Sequence, residues 1–131
     1  MRLSSGLACL LLVSAIAIAD EPAPKPITPA EAAKKVNEKV TVSMLVKSTG
    51  GRGNCYLNSE EDFNLATNFT IFISKDVKEK FKKAGIENPA EYYNKKTIEV
   101  TGKVILFEEK TPRIPVAEPD QIKVVEKAKE G

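Results

Sequence analysis

Asn68-Phe69-Thr70-Ile71-Phe72-Ile73-Ser74-Lys75-Asp76-Val77 contains the change of period on which the fold turns. Up to Ile73 the apolar residues alternate. Phe69, Ile71 and Ile73 fall on one face of a strand, Thr70 and Phe72 on the other. At Ser74, a good N-cap, the pattern becomes helical, with Val77, Phe81 and Ala84 spaced i, i+4, i+7 from Lys75 to about Ala84. Gly85 supplies a left-handed C-terminal residue, and Ile86 supplies the hydrophobic contact beyond it. The lysines of this helix read as a solvated face, because Asp76–Lys80 and Glu79–Lys83 are i,i+4 pairs in the favourable orientation.

Upstream, Val40, Val42, Met44 and Val46 alternate with Thr41, Ser43, Leu45 and Lys47, which predicts a half-buried first strand. Ser48–Asn54 is a glycine-rich turn into a short second strand, Cys55-Tyr56-Leu57, and an acidic loop, Ser59–Asp62, leads to the third. Before the strands, Thr28-Pro29-Ala30-Glu31 forms a capping box that predicts a short helix ending near Asn37. Downstream, Pro89–Tyr93 makes a further helical turn and Thr97–Phe107 a long fourth strand. Gly102, in mid-strand, predicts a bend or bulge. Glu108–Thr111 turns the chain into a fifth strand, Arg113-Ile114-Pro115-Val116, which Pro115 confines to an edge or bulge. Pro119-Asp120 turns it again into Gln121–Val125.

Five strands with a helix between the third and fourth, preceded by a short helix, is the element order of a mainly β, Greek-key OB-fold barrel. Two further stretches carry a resemblance. One is Val100-Thr101-Gly102-Lys103-Val104-Ile105-Leu106-Phe107 followed by Pro112–Val116 and Pro119–Val124; the other is Cys55-Tyr56-Leu57-Asn58 leading into Asn68–Ile73. From about Val40 to Val125 the chain resembles small exported bacterial OB-fold domains of the nucleic-acid-binding-like kind. The resemblance implies a binding module, and it speaks to fold more than to ligand.

The full sequence has 131 residues, enough for one domain. Met1-Arg2, the apolar run Leu7–Ile18 and Ala17-Ile18-Ala19 before Asp20 make residues 1–19 a signal peptide, too short in its apolar part to span a bilayer. A proline-rich leader follows over 20–27, the OB domain over 28–126 and a charged tail over 127–131. The product is expected to be periplasmic or secreted, with no stable membrane span. Cleavage removes Arg2 and Cys9. The formal net charge then drops from +2 to +1, and Cys55 becomes the only thiol, read as a buried small hydrophobe or as an intermolecular bridge. Histidine is absent, which excludes Ser-His-Asp and Cys-His nucleophiles and every His-containing metal site. The carboxylate groups show no metal-loop spacing, so no catalytic residue, metal or cofactor is expected.

OB barrels bind across the face of strands two and three, between the loops joining strands one–two and four–five. Single strands are held there by aromatic stacking beside cations. If Leu57 and Ile71 face the core, Tyr56 and Phe72 point outward. Lys47 and Arg52 flank the glycine-rich turn, and Lys103, Phe107 and Arg113 lie on the last strands. These seven residues are the candidate site for single-stranded DNA or RNA. Glu108, Glu109, Glu60, Glu61 and Asp62 oppose a polyanion and, with the near-neutral charge, favour an alternative: a protein or oligosaccharide partner in the cell envelope on the same face. Asn68-Phe69-Thr70 matches a glycosylation sequon and is read as incidental within a strand.

Overall fold

The computed structural model describes residues 24–125; the expected signal peptide, the start of the leader and the charged tail lie outside them. In chain order the elements are β1 (Pro26–Ile27), α1 (Pro29–Ala32), β2 (Lys39–Leu45), β3 (Ser48–Gly50), β4 (Cys55–Asn58), β5 (Thr70–Ile73) and α2 (Lys75–Lys83). Then come α3 (Pro89–Tyr93), β6 (Thr97–Lys103), β7 (Ile105–Phe107), β8 (Thr111–Val116), a 3-10 turn (Pro119–Gln121) and β9 (Ile122–Val124).

The strands form two mixed sheets rather than the single five-stranded barrel expected. One has the order β1-β2-β6-β9 and the other β3-β4-β5-β8-β7. Two of the passages between sheets are almost direct: β2 leads into β3 across Val46 and Lys47, and β6 into β7 across Val104. The break in the long fourth strand falls at Val104 because its backbone leaves the ladder. Its N–H donates to Glu38 O (3.0 Å) and its carbonyl accepts from Asn37 N–H (2.6 Å). Gly102 has a different reason to be glycine. A Cβ there would come within 2.6 Å of Ile114 Cγ2, so strand β6 passes β8 too closely for a side chain.

Val40, Val42, Met44 and Val46 are buried as their alternation predicts, together with Val100 of the neighbouring β6 and Leu57, Ile71, Ile73, Ile114 and Val116 of the other sheet. Each such side chain contributes about 1.5–3 kcal/mol on burial. Helix α2 closes one end of this core through Phe81, which meets Tyr93 of α3 edge-on at 6.3 Å. Ser74 Oγ accepts from Val77 N–H, Gly85 is left-handed (φ 96°), and Ile86 N–H reaches back to Phe81 O at 2.8 Å, so both helix ends follow the sequence. The expected i,i+4 ion pairs do not form among the described residues. Lys80 reaches Glu118 instead, at 2.8 Å, tying α2 to the chain after β8.

Helix α1 stops at Ala32, short of Asn37. Lys34 and Lys35 make three-residue bonds to Glu31 and Ala32, and Asn37 turns left-handed (φ 73°) so that Lys39 can enter the sheet. The end of the leader is extended but not loose: Pro26 and Ile27 pair in parallel with Thr41 and Val42. Pro115 lies in β8 beyond the end of β7, whose pairing stops at Arg113, so no neighbour on that side needs its missing N–H.

Candidate functional site

The five-stranded sheet has one face on the core and one face out. Alternation along β4, β5 and β8 puts Cys55, Leu57, Ile71, Ile73, Ile114 and Val116 inside. Tyr56, Asn58, Thr70, Phe72 and Arg113 therefore point outward, and the register aligns them: Tyr56 opposes Phe72, Asn58 opposes Thr70, and Thr70 opposes Arg113. A groove of about 880 Å³ lies over this face. Gly50 and Gly51 of the first turn bound it on one side, Phe107, Glu108 and Lys110 of the β7–β8 turn on another, and Phe63 to Ala66 with Asn68 of the β4–β5 loop on a third.

Arg113 is the centre of an aromatic cluster. Its guanidinium carbon lies 3.9 Å from the ring centre of Phe107, 4.9 Å from that of Phe72 and 5.7 Å from that of Tyr56, while Tyr56 and Phe72 pack at 5.4 Å. Cation–π attraction holds the charge in place. Arg113 Nε is buried and has no hydrogen-bond partner among the described residues. Burial lowers the guanidinium's pKa from its ordinary value, against the favourable charges of Tyr56 and Glu108. Arg113 is thus a fixed, partly desolvated cation beside the groove.

Beneath the β4–β5 loop is a polar network. Asn68 Nδ2 donates to Thr70 Oγ1 (3.1 Å), Thr70 donates to Asn58 Oδ1 (3.0 Å), and Asn58 Nδ2 donates to Ser48 Oγ (3.3 Å). Ser48 Oγ then donates to Glu60 O (2.7 Å), and Glu60 N–H to Asn68 Oδ1 (3.1 Å). These bonds satisfy buried polar groups and pin the loop to the sheet, which leaves Phe63 and Leu65 exposed at its crest. Asn68 itself is 2 % exposed, so the sequon's amide is occupied inside the protein.

The turns are shaped by backbone conformation. Gly51 has φ 104°, and a Cβ there would collide with Asn54 O, so the turn against Tyr56 requires glycine. In the β7–β8 turn Glu108 and Glu109 are both left-handed (φ 54° and 57°), with Lys110 N–H on Phe107 O. Phe107 pairs with Thr111, so the loop has three residues, and its two successive left-handed positions are filled by glutamates where Asn or Gly would fit without strain.

Of the seven residues singled out in the sequence, Tyr56, Phe72, Phe107 and Arg113 come together. Lys47 stands apart, its ammonium 3.9 Å from Glu60. Arg52 is exposed in the glycine-rich turn and outside the groove lining, and Lys103 lies opposite Lys39 in the other sheet. The sequence reading missed Asn58, Asn68 and Thr70 on the floor and Phe63 and Leu65 on the rim. The available signal was weak: two asparagines bracketing a loop, and two large apolar residues inside an otherwise polar one. No group of acidic and cysteine side chains able to hold a metal occurs among the described residues, and no helix among them is long and apolar enough to cross a membrane.

No protein-family model matches the sequence, and no curated protein sequence does. Solved structures do match in shape. OBody AM3L15 bound to hen egg-white lysozyme superposes with a TM-score of 0.55 at 16% identity, over 82% of this chain and 96% of that one. The aspartyl-tRNA synthetase of Entamoeba histolytica gives 0.52 at 17% identity over 78% of this chain. The asparaginyl-tRNA synthetase of Pyrococcus horikoshii with asparaginyl-adenylate gives 0.51 at 18% over 77%. The chain spans only about a fifth of either synthetase, 21% and 22%. The neighbours are OB-fold domains, and at these identities the likeness is one of fold.

Proposed function

We propose that this protein is an exported, non-catalytic OB module that binds single-stranded nucleic acid on the outer face of β4, β5 and β8. In this reading the two sheets are the halves of one five-stranded Greek-key barrel, with β2–β3 and β6–β7 each acting as a single bent strand. The observation that carries it is the Arg113 cluster: a cation held against Phe107, Phe72 and Tyr56, its Nε without a partner, beside an open groove. Exposed ring surface takes bases by stacking, and the guanidinium takes a phosphate or a base edge. Export rests on the signal-like residues 1–19, and the non-catalytic reading on the lack of histidine together with carboxylates that show no metal-loop spacing. Titration of the purified protein with labelled oligothymidylate at low ionic strength tests the reading. It expects weak binding that falls with salt, and no binding at tens of micromolar would end it.

A protein partner is the second reading, favoured by Phe63, Leu65 and Phe107, which are 63%, 48% and 44% exposed around the same groove. An OBody bound to lysozyme is a structural neighbour in keeping with it. Phe63→Ser then weakens capture of an envelope protein without altering the salt dependence of oligonucleotide binding.

A further inference from the structure

We propose that Lys47, Lys95, Lys96 and Tyr92 form a second contact surface that carries the sugar–phosphate backbone of the bound strand after it leaves the groove. The proposal rests on the nucleic-acid reading above and adds a path to it. The groove alone is electrostatically poor: among its lining residues Arg113 and Lys110 are offset by Glu108. Such a site neutralises only one or two phosphates, so a longer strand needs cations elsewhere.

The exits are unequal. Past the β7–β8 turn lie the exposed carboxylates of Glu108 and Glu109, and over the β4–β5 loop lie Glu61 and Asp62. Past β3 lies Lys47, whose N–H donates to the carbonyl of Asn58, a residue of the groove floor, at 2.9 Å. Its ammonium lies 3.9 Å from the carboxylate of Glu60. Lys95 follows directly, with Nζ donating to Lys47 O at 2.8 Å. Lys96 comes next: its Nζ donates to Tyr92 O at 2.6 Å and sits 4.1 Å from the Tyr92 ring centre.

This surface is rigid. Lys95 N–H bonds to Val46 O and Val46 N–H to Lys96 O, so backbone bonds fix the lysines relative to the strand. Tyr92 is 44% exposed but packs edge-on, at 4.8 Å, against Tyr93, which is buried. Lys95 holds a left-handed conformation (φ 67°) that non-glycine residues adopt only where the surrounding structure imposes it. With Glu60 faced by Lys47, the other acid beside the surface is Glu91 of α3, and two lysines and a ring remain for a polyanion. The half-buried Lys96 over the Tyr92 ring, with the exposed Lys95 beside it, is the pairing of cation and aromatic ring that tracks a single strand without reading its sequence.

The test compares oligothymidylates of four and twelve nucleotides on the purified protein and on Lys95→Gln/Lys96→Gln. Only the longer one reaches beyond the groove. It is expected to bind more tightly, with a log–log salt slope steeper by about 1.4 for two added phosphates, so its advantage shrinks about sevenfold from 50 to 200 mM salt. In the double variant the twelve-nucleotide strand binds no better than the four-nucleotide one. Equal slopes for the two lengths in the unaltered protein overturn the proposal, as does a double variant that keeps the length advantage. If neither length binds, the function reading itself falls and takes this path with it.

Discussion

The guanidinium carbon of Arg113 sits 3.9 Å from the centre of the Phe107 ring, and the two residues come from opposite strands of the β7–β8 hairpin. Tyr56 and Phe72, which complete the cluster, belong to the β4–β5 pair. One cation therefore joins two hairpins across the parallel seam between β5 and β8.

Arg113→Met separates the two uses of that side chain. Methionine keeps apolar contact with the rings and removes a buried donor that has no partner, so the thermal midpoint is expected to stay within about 3 °C. Loss of the cation is expected to weaken oligonucleotide binding about tenfold, or ~1.4 kcal/mol, by fluorescence anisotropy. A large fall in midpoint with unchanged affinity would make Arg113 a purely structural group.

The β7–β8 turn is expected to improve on replacement. Glu108→Asn with Glu109→Gly puts the preferred residues into two left-handed positions and should raise stability by about 1–2 kcal/mol in urea denaturation. It also removes two negative charges at the groove rim, so oligonucleotide affinity should rise at low salt. A drop in stability would show that the glutamate side chains hold the turn.

Asn68→Asp attacks the loop tether. The amide donates to Thr70 Oγ1, and a carboxylate would leave that bond without its donor and face Asn58 Oδ1 while nearly fully buried. The expected loss is about 2–3 kcal/mol, with faster protease cleavage between residues 60 and 67. Equal cleavage rates would mean that the loop is held by other contacts.

Stability is expected to fall with alkaline pH. Burial pushes the Cys55 thiol from 9.0 up to about 11, against the pull of Lys78, and burial followed by Tyr92 and Cys55 pushes Tyr93 from 10.0 up to about 12. Both folded values lie above the unfolded ones, so this contribution is complete below pH 9 and is lost as pH climbs through 11 and 12. Urea midpoints from pH 8 to 11 check it, and Cys55→Ala should flatten the early part of the fall. An unchanged slope in that variant would assign the effect elsewhere.

Much of this was legible in the residues themselves. The shift from period two to a helical period at Ser74 marked the β5–α2 junction, because strand and helix expose their side chains at different intervals and Ser74 caps the first turn. The outward placement of Tyr56 and Phe72 followed from Leu57 and Ile71 being core residues. Lys47, Arg52 and Lys103 illustrate the limit. Parity along a strand says which face a side chain takes, but not which sheet the strand joins after a break, and β6 and β7 part at Val104.

What the sequence determined alone, then, is local: the capped helix starts and the strand faces, all set by spacing within a few residues. The division into two sheets, the tether of Asn58, Asn68 and Thr70, and the meeting of Arg113 with Phe107, Phe72 and Tyr56 were decided only in the folded chain. Their partners lie up to tens of residues apart, so backbone pairing between distant strands, rather than local preference, brings them into contact.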